Sequence, residues 1–231
     1  MLYGTTLAER QELSLTLLFI MEVLTIFIIA PLIDMSGDHC RWVMDVVFAV
    51  MAFVSVFIVA NGLWRWLAIF SFVLCLFGFG YSQLLHESER SEIIFVISGL
   101  IFSANVIGIV AHKVFDEGHV TLHRIRGAIV IYLNITLLFA TLDTLLATLV
   151  PGAYTNLPQD LNRTIGAMVY FSLTTITTIG YGDIVPVQAF ARSLATLEAV
   201  IGQFYVGILI ATLVGLHVSH RQSKDRSLKK P

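Results

Sequence analysis

Crossing the hydrocarbon core of a membrane takes roughly 20 consecutive apolar residues at helical rise. Six stretches of this chain meet that requirement: about Leu13–Ile33, Trp42–Ala60, Trp66–Leu85, Ile93–Ala111, Gly127–Val150 and Val187–Val218. The first is too long for a signal-peptide core and lacks a small-residue cleavage site, so it is read as retained. Hydrophobic residues make up 57% of the 231 and charged residues only 13%, against about 25% charged in soluble domains. Mean hydropathy is +0.84. These values exclude a disordered chain and a small secreted disulfide domain. A formal net charge of -2 gives no global basic field for nucleic acid. The two cysteines, Cys40 and Cys75, are read as free thiols. A seventh apolar piece, about Arg163–Ile176, is too short to cross and is followed by Gly180, Gly182 and Pro186, which break helix. It is expected to enter the membrane part-way and turn back, which non-helical backbone does only where it lines water or is buried in protein. The expected fold class is an all-α membrane protein with six transmembrane helices and one re-entrant helix and loop.

Loop charges set the orientation. The N-terminus, residues 61–65, residues 112–126 and the tail from Ser219 hold Arg10, Arg65, Lys113, Arg124, Arg126, Arg221, Lys224, Arg226, Lys229 and Lys230. The opposite loops hold only Arg41, Arg90, Arg163 and Arg192. Both termini are therefore expected in the cytoplasm, and the chain in the cell (inner or plasma) membrane. Four parts follow: a peripheral four-helix bundle over 1–112, an amphipathic cytoplasmic linker over 113–126, a module over 127–218 and a basic tail over 219–231. The tail would lie near anionic lipid headgroups.

After the short helix the chain reads Thr177-Thr178-Ile179-Gly180-Tyr181-Gly182-Asp183. Over about Gly127–Ser219 the sequence resembles the tetrameric potassium-channel superfamily, whose selectivity filter reads Thr-Val/Ile-Gly-Tyr-Gly, usually followed by Asp. The resemblance implies that carbonyls of Thr178, Ile179, Gly180 and Tyr181 replace the hydration shell of a potassium ion, with the Thr178 hydroxyl as the innermost ligand. Gly180 and Gly182 supply torsions that glycine adopts cheaply. Ile179 and Tyr181 would point away from the ion, and Tyr181 favours potassium. The helix over about 163–176 becomes a pore helix aiming its partly negative C-terminus at the ion path. Tyr170 and Phe171 fall where relatives carry two aromatics, and a Tyr170 contact to Asp183 is expected to brace the outer mouth. Thr174 and Thr177 complete the filter support. One chain supplies one filter strand, so the resemblance implies a homotetramer, with potassium as the permeant ion and no cofactor.

The last stretch resembles the inner helix of that family. Gly202 is either a hinge or a site of close packing. Helical spacing places Gln203, Val206, Ile210 and Val214 toward the axis, with Ile210 and Val214 as an apolar constriction. Glu198 is an acid at membrane depth, where acids are paired or functional. Its angle points away from Gln203, so it is expected to bond Thr174, Ser172 or backbone behind the filter. The stretch Ile93–Ala111 holds no Lys or Arg, so steep voltage gating is not expected. Glu22 and Asp45 are read as acids bonded to water, hydroxyls or a neighbouring helix, or as a proton or ligand sensor. His119 and His123 lie one turn apart in the linker. They are read as part of a solvated basic face rather than a metal site.

Two rival classes share parts of the pattern. Gly180-Tyr181-Gly182-Asp183 also fits the Gly-x-Gly-Asp signature of intramembrane aspartyl proteases, with Asp143 as second carboxylate. The Pro-Ala-Leu motif of those enzymes is missing, and Asp183 precedes Pro186 instead of lying inside a helix. The other rival is a non-conducting scaffold of similar shape. The expectation is a channel, not an enzyme.

Overall fold

The computed structural model describes residues 7–29, 31–32, 50, 53–54, 63–84, 89–114, 122–158 and 161–228. Apart from Val50, Phe53 and Val54, which are helical, the stretch Trp42–Ala60 lies outside these residues, as do Cys40, Asp45 and His119. The described chain is mostly helical: α1 (Leu7–Leu24), a π-helical turn (Thr25–Ile29), α2 (Leu63–Leu84), α3 (Glu89–Val114), α4 (Leu122–Leu149), α5 (Leu161–Ile176) and α6 (Ala189–Leu228). Two-residue strands β1 (Tyr154–Thr155) and β2 (Val185–Pro186) pair antiparallel, Tyr154 opposite Pro186 and Thr155 opposite Val185.

Helix α4 is the hub, packing against α1, α3, α5 and α6. One side meets the peripheral helices in a cluster of Leu15, Leu18, Ala68, Phe102, Val106, Val130 and Ile131. A second cluster joins Ile26 to Leu133, Leu137, Ala140 and Val169. A third lies beneath the β ribbon and holds Tyr154, Met168, Phe171, Ile184 and Ala191. Ile125–Leu149 of α4 and Ala189–Thr212 of α6 are long and apolar enough to cross a membrane. Over half of the first is buried, 56%, but only 17% of the second. Most of that apolar stretch of α6 is therefore exposed on the chain.

Local chemistry explains where elements change. The Thr25 hydroxyl donates to the Met21 carbonyl at 2.7 Å, and Pro31 has no N–H to continue an α-helical ladder onto Phe27. The helix loosens into its π turn between these two points. The helix expected from Val187 starts at Ala189 because Gln188 caps it: Gln188 Oε1 accepts from the Phe190 N–H at 2.6 Å and the Ala191 N–H at 3.1 Å. It also runs on past the expected end at Val218, through Leu228. The boundary drawn at Gly127 falls inside α4. Leu122–Arg126, the last residues of the expected linker, are helical and continue directly into that helix, since nothing between Leu122 and Gly127 breaks helix.

Helices α2 and α3 touch at Gly78. A Cβ there would stand 2.7 Å from Ser98 Oγ and 3.2 Å from Ser98 Cβ. Gly78→Val should therefore destabilise the protein by about 1–3 kcal/mol, the usual range for overpacking. A lowered thermal unfolding midpoint checks this, and adding Ser98→Ala should recover part of the loss.

Candidate functional site

The segment Thr177–Asp183 leaves the C-terminus of α5, and its geometry begins with how that helix ends. The Ile179 N–H donates to the Thr174 carbonyl at 2.8 Å, and the Thr178 N–H donates to the Thr175 carbonyl at 2.9 Å. Thr178 has φ 62°. These bonds and this torsion define a Schellman motif, in which a left-handed residue reverses the chain and covers the last helical carbonyls. Glycine normally occupies that left-handed position; here it is a β-branched threonine, which makes it a site of strain. The Gly180 N–H also donates to Thr174, at 3.0 Å.

The bonds fix the direction of the carbonyls. In a trans peptide the N–H and the preceding C=O point opposite ways, and the described residues have no cis peptide bond. The N–H groups of Thr178, Ile179 and Gly180 turn back onto α5. The carbonyls of Thr177, Thr178 and Ile179 therefore all point away from α5, to one side. In an ordinary strand successive carbonyls alternate. The reversal continues along the loop: Gly180 has φ 55° and Gly182 φ 77°, so every second residue from Thr178 is left-handed. The Gly-x-Gly spacing was visible in the sequence. That Thr178 extends the alternation by two residues was not, because a β-branched residue is the last one expected there.

Side chains clamp this loop from behind. The Tyr181 ring stacks on Tyr170 with centroids 6.3 Å apart and planes 1° apart, although Tyr181 is 70% exposed. Ile179, 56% exposed, lines a cleft of about 830 Å³ with Leu173, Thr174 and Asp183. The Tyr170 hydroxyl donates to the Asp183 carboxylate. That bond holds Asp183 below the usual carboxylate range, with the Ile184 N–H adding to it, at 3.0 Å. The Asn156 amide, on a residue with φ 60°, donates to the Asp183 carbonyl at 2.7 Å. Thr177 Oγ1 donates to Leu173 at 2.5 Å, and Thr174 Oγ1 to Phe171 at 2.9 Å. Phe171 is buried and meets the Tyr154 ring edge-on at 5.6 Å.

Below the loop, α5 is bolted to its neighbours through polar groups. The Ser172 hydroxyl lies within hydrogen-bond reach of both the Thr136 carbonyl, at 2.8 Å, and Glu198 Oε1, and its single hydrogen is shared between them. Glu198 is fully buried, 0% exposed. Of the partners considered for it, Ser172 is the one it has. Tyr132 caps the helix end by donating to the Ile176 carbonyl at 3.2 Å. It is tilted against the ring of Tyr205, whose hydroxyl holds the Ala128 carbonyl at 2.7 Å. Tyr154 donates to Asp143 at 2.6 Å. Burial first, then the facing Asp143 carboxylate, push the Tyr154 hydroxyl above the ordinary tyrosine range, so it remains a donor. Sequence reading missed Tyr132, Thr136, Tyr154 and Asn156. Tyr132, Tyr154 and Asn156 act through a hydroxyl or amide and Thr136 through its backbone carbonyl, and no spacing rule announces such contacts.

Gly202 sits at a close contact between helices. A Cβ there would lie 2.5 Å from the Ile176 carbonyl oxygen and 2.4 Å from the Ile176 side chain. Helix α6 passes through Gly202 without a break. It is a point of close approach between α6 and the end of α5. Gln203, Val206, Ile210 and Val214 are all exposed on the protomer, on the face that α6 turns away from its own chain. Asp143 and Asp183 bond to different tyrosines, Tyr154 and Tyr170.

Residues 128–218 match the family model described as ion channel. A curated relative, the calcium-gated potassium channel TvoK of Thermoplasma volcanium, is 37% identical over 65 residues, which is 26% of this chain and 19% of the relative. The matched stretch thus spans about a fifth of that relative's length. Residues 128–218 are thus similar to an ion-channel domain, that stretch is partly shared with a potassium channel, and two helices are long and apolar enough to cross a membrane.

Two outcomes follow. Gly202→Ala forces Cβ into backbone that has no room to move, and should cost about 1–3 kcal/mol or more, read as a lower thermal midpoint. Tyr170→Phe removes the main group lowering the Asp183 carboxyl. A lowered carboxyl contributes stability above its unfolded value, about pH 3.9, and loses it as pH falls through the folded value. Carbon-13 NMR titration of Asp183 should therefore show its midpoint rise in Tyr170→Phe.

Proposed function

We propose that this chain is one subunit of a potassium-selective channel, four copies of which surround a central pore. Thr178, Ile179, Gly180, Tyr181 and Gly182 form one quarter of the filter, and their main-chain oxygens replace water around a dehydrated potassium ion. The observation that carries this reading is the alternating left-handed backbone at Thr178, Gly180 and Gly182. With the amide bonds back to Thr174 and Thr175, it turns consecutive carbonyls to one side. A single strand of such oxygens encloses nothing, so the site is complete only with symmetric copies. The exposure of Thr177–Asp183 and of the Gln203, Val206, Ile210 and Val214 face supports that arrangement.

In the proposed mechanism the ion meets neutral carbonyl dipoles, strong enough to replace hydration and weak enough to release it. Tyr181 stacked on Tyr170, and Asp183 bonded to Tyr170, brace the outer end. Ser172 joined to Glu198 braces the inner end from behind. Conduction is passive and makes no chemical bond, so the chain is a pore and not an enzyme. Six helices cross the cell membrane with both termini inside, and the peripheral helices flank the pore without sensing voltage steeply, because Ile93–Ala111 has no Lys or Arg. The basic tail lies against anionic lipid. Calcium gating belongs to the relative's name and is not carried over, since the likeness covers so little of that protein.

The test is ion flux from liposomes holding purified protein. Potassium efflux blocked by barium, with sodium excluded, is the expected result. Gly180→Ala should abolish it, because Gly180 holds φ 55° where a side chain is strained. Absence of potassium flux from intact wild-type tetramers would overturn the reading.

A further inference from the structure

Four buried side-chain atoms have no hydrogen-bond partner among the described residues: Glu22 Oε2, Asn134 Oδ1, Asp143 Oδ2 and Glu198 Oε2. All four are oxygens that accept, so what each lacks is a hydrogen. Two of them belong to a single contact between α1 and α4. Asn134 Nδ2 donates to Glu22 Oε1 and to the Val130 carbonyl, the latter at 3.0 Å. Both amide hydrogens are thereby used. The orientation of the amide is fixed as well, since flipping it would set Oδ1 against two acceptors. One carboxyl oxygen and one amide oxygen remain on the same pair of side chains, both buried and both without a donor.

A carboxylic acid and a primary amide satisfy each other through two bonds, N–H to one carboxyl oxygen and O–H back to the amide oxygen. The first bond is present, and both heavy atoms of the second stand unpartnered. A carboxylate cannot make the second bond; the neutral acid can. We propose that Glu22 is a proton-binding site, closed as an acid–amide pair with Asn134, that ties the first peripheral helix to α4.

The surroundings fit a neutral acid. Glu22 lies between the apolar cluster of Leu15, Leu18, Val130 and Ile131 and that of Ile26, Leu133 and Leu137. The titratable side chains described on the surrounding elements have partners of their own or lie elsewhere. On α4, Arg126 bonds Thr16 at 3.0 Å and lies about two turns from Asn134; Tyr132 bonds Ile176 and Asp143 bonds Tyr154. The other titratable side chains described on the helices are Arg65 and Tyr81 of α2, His112 of α3, Arg163 and Tyr170 of α5, and Arg192, Glu198 and Tyr205 of α6; Tyr205 packs on the same apolar cluster but bonds Ala128. Asn134 is the side chain that hydrogen-bonds Glu22. An ionised Glu22 would be a buried charge held by one amide bond. The π-helical turn begins three residues later, at Thr25, a distortion that often marks functional positions. Asn134 lies two residues from Tyr132, which holds the end of α5. Loss of the proton therefore loosens α1 from the same helix that positions the filter segment; only this last step rests on the channel reading.

The experiment uses the full chain in liposomes and compares wild type with Glu22→Gln, whose amide supplies an N–H in place of the O–H and keeps both bonds. Infrared spectra at neutral pH should show a protonated-carboxyl absorption in wild type that Glu22→Gln lacks and that fades on alkaline titration. The thermal midpoint of wild type should fall with alkalinisation, and that of Glu22→Gln should not. Asn134→Leu should shift the same absorption by removing its partner. Identical carboxyl absorptions in wild type and Glu22→Gln, or an unchanged alkaline loss of stability in Glu22→Gln, would overturn the site. If Asn134→Leu does not fold, the Glu22→Gln comparison still decides. Potassium flux separates the two claims: it should change several-fold between neutral and alkaline pH in wild type and stay level in Glu22→Gln. If neither passes potassium, the channel reading fails while the infrared result still judges the proton.

Discussion

The antiparallel placement of N–H and C=O in a planar peptide is the constraint from which the rest of the site follows. Once the Thr178, Ile179 and Gly180 amides are committed to covering the end of α5, the carbonyls on their far sides have no choice of direction. The helix end needs those amides, because its last carbonyls would otherwise be unpaired. One set of main-chain bonds thus terminates a helix and aligns a row of oxygens. The strain at Thr178, held at φ 62°, persists because the surrounding bonds over-determine it.

The scaffold behind the row is built from hydroxyls and acids, where apolar contacts alone would also have filled the space. Apolar side chains hold helices together without specifying register along their axes. Ser172 on Glu198, Tyr132 on Ile176 and Tyr154 on Asp143 each fix one height of one helix against another, because a polar group buried in a membrane tolerates few partners. Close approach at Gly202 and Ile176 adds a steric stop to the same register.

Much of this was legible in advance. Apolar length placed described helices: Ile93–Ala111 falls within α3, and the run from Gly127 follows α4 to its end at Leu149. Glycine spacing placed the turn of the loop, and the angular offset of Glu198 from Gln203 pointed it toward α5, where Ser172 holds it. Legibility failed where outcomes depend on single atoms. Val187–Val218 does not reveal that Gln188 caps the helix or that the helix outlasts its apolar run. A glycine in a helix reads equally as hinge or contact, and the closeness of Ile176 to Gly202 has no signature in the sequence. The partner of Glu22, 112 residues away in sequence, has no local signature at all.

The alternation at Thr178, Gly180 and Gly182 has a period of two, and the segment is pinned at one end to Thr174 and at the other through Asp183 to Tyr170 and Asn156. Parity therefore governs its length. Adding or deleting one residue between the pins would put the wrong torsional hand at each later position and turn the peptide planes over. A change of two residues would restore the phase but alter the span. Few segments of any chain are so intolerant of insertion, and here the intolerance arises from counting, before any side chain is considered.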